Sequence, residues 1–214
     1  MSLFTFFKMG GFFMWPLLLF SIATVSIAIE RVIYLFYHNL RVSDLEDAIL
    51  ECIKKNDIQG AKALVGDRKA RRMAAPIMGR LLENAHLGEH IMEKAAESES
   101  AAVITRMENG FDFLTALGSL APITGFLGTV SGMIGAFKSI AEATEVNAQI
   151  VAGGIYEALI TTVFGLIIAI IAMVASSFLT HIVDKFAADT EKACSEIITQ
   201  FAVTNTVNSG AAGA

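Results

Sequence analysis

PITGFLGTVSGMIGAF, residues 122–137, carries Gly125, Gly128, Gly132 and Gly135. Glycine inside a helix costs about 1 kcal/mol relative to alanine, so the stretch reads as a poor helix former. Yet it lies within 25 uncharged residues, 113–137, a length that reads as membrane-spanning. On a helix, Gly118, Ala121, Gly125, Gly128, Gly132 and Gly135 fall on one stripe with the three-four spacing of a packing seam. Helices in lipid associate through close van der Waals contact, and small residues let their backbones approach. The glycines therefore predict a tight helix-helix seam.

Two further charge-free runs flank this one, residues 9–29 and 158–183, the last with His181 as its only titratable group. Together they account for a chain of 214 residues that is 54% hydrophobic with a mean hydropathy of +0.59. Each run reaches the roughly 20 residues that cross a bilayer. The first is preceded only by Lys8, has too long an apolar core, and closes without an A-x-A-like site, so it is expected to be retained rather than cleaved. The expectation is an all-α membrane protein with three transmembrane helices.

The run at 158–183 has its own small-residue stripe: Gly154, Ala158, Thr161, Gly165, Ala169, Ala172, Ser176 and Thr180. Spans two and three should therefore pack tightly, within one chain or between copies. The first span lacks such a stripe, and its Phe12, Phe13, Leu17, Leu18, Leu19 and Phe20 read as lipid-facing.

Lysine and arginine set the orientation. Residues 38–110 hold 11 of the 16, whereas residues 138–156 hold only Lys138. The positive-inside bias places the N-terminus outside, with the middle segment and the C-terminus in the cytoplasm. The expected boundaries are a periplasmic N-terminus (1–10), a first span (11–37), a cytoplasmic helical segment (38–110), a second span (111–137) and a periplasmic loop (138–156). A third span (157–183), a cytoplasmic C-terminal helix (184–204) and a disordered tail (205–214) follow.

In the middle segment, Ser43-Asp44-Leu45-Glu46 has the spacing of a capping box, and Leu45, Ile49, Cys52 and Ile53 recur at helical spacing behind it. Asn56-Asp57 and Gly60 punctuate before a second helical piece, Gly66 to Arg72 form a basic connection, and Pro76 can open another helix. From Gly88 helix formers run up to Ala121, which predicts one helix entering the second span without a loop. The third span should likewise extend beyond the membrane.

The net charge of −5 gives no reason to expect nucleic acid. Cys52 and Cys194 form no metal-ligand spacing and read as free thiols. No nucleophile-base pair or metal cluster lies near a span, so no catalytic residue, metal or cofactor is predicted.

Thr115, Pro122 and Thr129 lie on a line beside the glycine stripe, while Thr162 flanks the third span's stripe and Glu157 sits at its outer end. The plainer reading of each hydroxyl is a bond to the carbonyl four residues back. Thr129 and Thr162 beside matched seams, with Thr161 next to them, also suit a polar path. Glu157 reads equally as an interfacial carboxylate or as a proton-attracting residue at a pore mouth. His181 suits the membrane interface better than a relay. No carboxylate lies deep in any run, so a proton path would need a titrating group from elsewhere.

A-P-I-T-G-F-L-G-T-V-S-G-M-I at residues 121–134 and G-I-Y-E-A-L-I-T-T-V-F-G-L at 154–166, with Glu30-Arg31 closing the first span, resemble the ExbB/TolQ/MotA proton-channel family, ExbB/TolQ branch. The arrangement of spans matches over nearly the whole chain. The resemblance implies a homopentamer in the bacterial inner membrane whose second and third spans line a pore. That pore would hold the single spans of an ExbD- or TolR-like partner, with a TonB- or TolA-like protein beyond it. The partner's membrane aspartate would exchange protons near Thr129 and Thr162, with Glu157 at the family's glutamate position. One departure stands out: where the family often reads A-I-P-A and later an asparagine, this chain has Ile171 and Ser177. Sodium coupling stays open beside proton coupling. The competing reading is a non-conducting oligomeric scaffold held by its glycine seams.

Overall fold

The computed structural model describes Phe7 and residues 10–67, 72–142 and 148–211. Seven α-helices are described: α1 (Met14–Tyr37), α2 (Ser43–Lys54), α3 (Ile58–Asp67), α4 (Ala74–Glu83), α5 (Glu89–Glu108), α6 (Phe111–Glu142) and α7 (Ala148–Ala211). A 3-10 turn, Ala85–Leu87, precedes α5, and the described residues contain no strand, only an isolated bridge between Asn39 and Arg72. Three helices, α1, α6 and α7, are long and apolar enough to cross a membrane.

The chain forms two compact units, Met1–Arg31 with Gly110–Leu179, and Val32–Asn109 with Thr180–Ala214. The first unit contains the apolar helices. Met14 and Leu17 of α1 are buried with Ala121 of α6 and with Ile160 and Ile168 of α7. Leu17 is therefore not lipid-facing as its sequence context predicts, although Phe12, Leu18 and Leu19 are exposed. Apolar side chains suit lipid and protein neighbours equally, so residue type alone cannot separate the two faces of a span.

In the second unit the expected amphipathic helix is α2, which buries Leu45, Ile49 and Ile53. It packs on α3, α3 on α4, and α4 on α5, whose Met92 and Met107 are buried. Asn56 adopts a left-handed backbone and Asp57 accepts the backbone N–H of Gly60 at 2.7 Å, so this pair starts α3 and Gly60 lies inside it. The Ser43 capping box does not form: Val42 is the N-cap in a helical conformation, and no side chain caps α2. Ser43 thus sits one residue too far along to reach the free amide groups.

Three other expectations change. The helix expected to run unbroken from Gly88 stops at Glu108, because Gly110 takes a left-handed backbone with φ of +91° that L side chains rarely adopt. The loop expected over residues 138–156 is shorter. α6 runs to Glu142, helped by the Lys138–Glu142 pair at 3.8 Å, and α7 begins at Ala148. The tail expected to be disordered is helical through Ala211: no proline interrupts it, and extending a helix adds one hydrogen bond per residue fixed. Residues 68–71 of the basic connection, 143–147 and 212–214 lie outside the described residues.

Candidate functional site

The two small-residue stripes meet within one chain, in antiparallel order. A Cβ added at Gly118 would lie 3.5 Å from the Ala172 Cβ, and one at Gly132 would lie 3.0 Å from the Ala158 Cβ. At the centre, a Cβ on Gly125 would lie 2.8 Å from the Thr161 carbonyl oxygen and 3.0 Å from the Thr162 Cα. Gly165 meets the Ala121 carbonyl, and Gly128 meets the Thr161 side chain. The atoms faced by Gly125 and Gly165 are mostly backbone and cannot rotate away, so glycine is required there. Gly135 differs, since nothing lies within 4 Å of the position its Cβ would take.

This close approach brings hydroxyls of the two helices together. The Thr129 and Thr162 hydroxyls are hydrogen-bonded to each other, both half-buried. Thr162 also reaches the Gly125 carbonyl at 3.1 Å, and Thr129 reaches the carbonyls of Gly125 and Ala158, each at 3.3 Å. Thr161 is wholly buried in the seam, donating to the Ala158 carbonyl at 2.8 Å with the Gly125 carbonyl at 3.3 Å.

A hydroxyl has one proton to donate and two lone pairs to accept with. One arrangement satisfies all three protons: Thr161 donates to Ala158, Thr162 to Gly125, and Thr129 to Thr162. Thr129 then ends the chain as an unfilled acceptor on a half-buried surface. It can take a hydrogen bond from an incoming protonated group and pass its own toward Thr162.

Glu157 precedes Ala158 by one residue and is half-buried against Gly11, whose Cβ, if present, would overlap the carboxylate. Gly11 has a φ of +64°, so the backbone turn and the room for Glu157 both need glycine. Glu157 lines a cavity of about 310 Å³ with Gly128, Ser131, Gly132, Gly135 and Ser139. The cavity reaches the residue next to Thr129. Among the described residues no three His, Cys, Asp or Glu side chains come together as metal ligands.

Two features escaped the sequence reading. Thr115 and Ser176 are hydrogen-bonded across the same seam at 3.2 Å, four helical turns from Thr129 along α6. Their signal was present, since Ser176 stands in one stripe and Thr115 beside the other. Thr24 of α1 is buried with its hydroxyl lacking a hydrogen-bond partner among the described residues. A single threonine in an apolar span gives no warning of that. Thr124, Ser119 and Ser139 take the plainer role, each bonding the carbonyl four residues back.

With the seam in view, the comparison with known proteins is direct. Residues 69–192 match the model of the MotA/TolQ/ExbB proton channel family, a match that spans the paired glycine stripes and the threonine contact. The chain belongs to the MotA/TolQ/ExbB family. An ExbB-like biopolymer transport protein of Synechocystis sp. is 34% identical over 200 residues, covering 85% of this chain and 74% of the relative. The biopolymer transport protein ExbB of Salmonella typhimurium is 27% identical over 181 residues, covering 80% and 73%. Family membership on the ExbB side and three apolar helices make this a multi-pass membrane protein of the energy-transducing type.

Proposed function

We propose that the chain is the channel and stator subunit of a proton-driven motor in the bacterial inner membrane. Its N-terminus is periplasmic and its C-terminus cytoplasmic, as the lysine and arginine distribution favours. Copies assemble as a ring, a pentamer by family likeness. The single spans of an ExbD- or TolR-like partner sit inside and supply the membrane aspartate that this chain lacks. A TonB- or TolA-like protein receives the work.

The observation that carries the reading is the Thr129–Thr162 contact at the closest approach of α6 and α7. A protonated partner aspartate donates its hydrogen bond to Thr129 and, once it has released its proton to water on the cytoplasmic side, its carboxylate accepts a hydrogen bond from the same hydroxyl pair. Thr161 stands behind the pair and fixes the seam, and Glu157 with its cavity forms the outer entrance. A proton crossing 100 mV yields about 2.3 kcal/mol, enough when summed over several protons to turn one component against another. The chain transports and catalyses no covalent step.

Thr129→Ala and Thr162→Ala separate this from the scaffold reading. In cells, either change abolishes energised outer-membrane transport or envelope maintenance while the purified oligomer keeps its size. Full activity in both variants would leave the scaffold.

A further inference from the structure

Past the last residues of the first apolar run, a pocket of about 870 Å³ opens in the second unit. Its floor is apolar, made by Leu35, Val42 and Phe186, all buried. Its rim is cationic: Arg41 comes from the α1–α2 connection, and Lys185 and Lys192 come from α7. Lys192 pairs with Glu196 at 3.6 Å, whereas Arg41 and Lys185 have no carboxylate partner among the described residues. Unpartnered cations on two separate elements around one pocket have no structural task there.

Two further features favour an anion. Val42 and Ser43 line the pocket at the N-terminus of α2, a twelve-residue helix with no side-chain cap, so the positive end of its dipole borders the space. The acids on the wall are Glu46 and Asp189. Burial first, and then the neighbouring Glu196 carboxylate, push the Glu46 carboxyl above its usual value.

The position says which anion. Ile33, Phe36 and Tyr37 are exposed on α1 just before the pocket, an apolar and aromatic surface of the kind that sits at the level of lipid head groups. Basic pockets beside membrane spans on the cytoplasmic side recognise acidic head groups. From this arrangement we infer that the pocket binds the phosphodiester head group of an anionic phospholipid. Arg41 and Lys185 hold the phosphate beside the positive end of α2, and the acyl chains lie along Ile33 and Phe36. The site rests on the cytoplasmic orientation proposed above and is independent of whether protons pass Thr129.

The test uses the whole chain in detergent with short-chain phosphatidylglycerol, phosphatidylcholine of equal chain length, and inorganic phosphate, read by thermal unfolding and native mass spectrometry. Phosphatidylglycerol binds saturably and at least about tenfold more tightly than phosphatidylcholine. The double variant Arg41→Gln/Lys185→Gln loses that preference. The charge-keeping double variant Arg41→Lys/Lys185→Arg retains it, as does Lys138→Gln, which removes a charge elsewhere. Equal binding of the two lipids, or an unchanged preference in the neutral double variant, overturns the proposal. Inorganic phosphate matching phosphatidylglycerol at the same concentration also overturns it, because the site would then serve a free ion.

Discussion

Thr129 and Thr162 differ from the other hydroxyls of α6 and α7 in what a methyl group would remove. Replacing Thr124 deletes a bond to its own helix, whereas replacing Thr162 deletes the link between two helices and the acceptor that takes the Thr129 proton. Serine keeps the oxygen and loses only a methyl. Thr162→Ser should therefore retain most coupling in a cell-based transport assay, and Thr162→Ala should lose it. At the glycines the prediction concerns the packing of α6 on α7. Gly125→Leu or Gly165→Leu forces side-chain atoms into the facing backbone and should cost at least the roughly 1–3 kcal/mol of an overpacked core, read as a lower Tm. Gly135→Ala meets open space and should leave Tm unchanged. A glycine stripe in a sequence shows that a seam exists; which glycines are under load depends on the register with the facing helix.

Helices begin and end here through particular local chemistry. Asp57 caps α3 through its bond to the Gly60 amide, and Asp57→Ala should destabilise the second unit by about 1 kcal/mol in thermal unfolding. Glu46 offers a pH-dependent test. Its carboxyl is held above the usual value, so the folded state binds that proton more tightly than the unfolded chain does. The folded state gains from this at low pH and loses it as pH rises through the folded-state value. Glu46→Gln should raise Tm at about pH 7, and the gain should vanish near pH 4. Wild type and variant shifting equally at both pH values would show that Glu46 ionises as freely as in the unfolded chain.

Most elements were legible in the sequence because their causes are local: charge-free runs for α1, α6 and α7, and helical spacing of Leu45, Ile49 and Ile53 for α2. The break at Asn109-Gly110 was not, since one glycine among helix formers only ends a helix when the chain must turn. The burial of Leu17 was equally hidden, because leucine suits both lipid and protein. The Ser43 capping box failed through a one-residue offset that spacing alone does not resolve. For the site, Thr129, Thr162 and Glu157 were visible as residues beside the stripes, whereas their hydrogen-bond partners needed the antiparallel register.

For the molecule as a whole, the two free cysteines report on the second unit, away from the Thr129–Thr162 pair. Burial pushes the Cys194 thiol up to about 12, beyond the apolar run that ends at Val183, and Cys52 is partly exposed. A thiolate-directed reagent at neutral pH should modify Cys52 and leave Cys194 unmodified until the protein is unfolded. The same labelling in intact cells tests the proposed orientation, because Cys52 should react only with reagents that cross the inner membrane.

In the proposed mechanism protons pass the Thr129–Thr162 pair with a partner's help. Its most direct measurement is proton uptake into liposomes holding this chain and its single-span partner, driven by a potassium-diffusion potential and followed with an entrapped pH dye. Uptake should need both proteins and fall to the leak rate with Thr129→Ala or Thr162→Ala, while the assembled complex is unchanged in size. Uptake at the wild-type rate in both variants would contradict it.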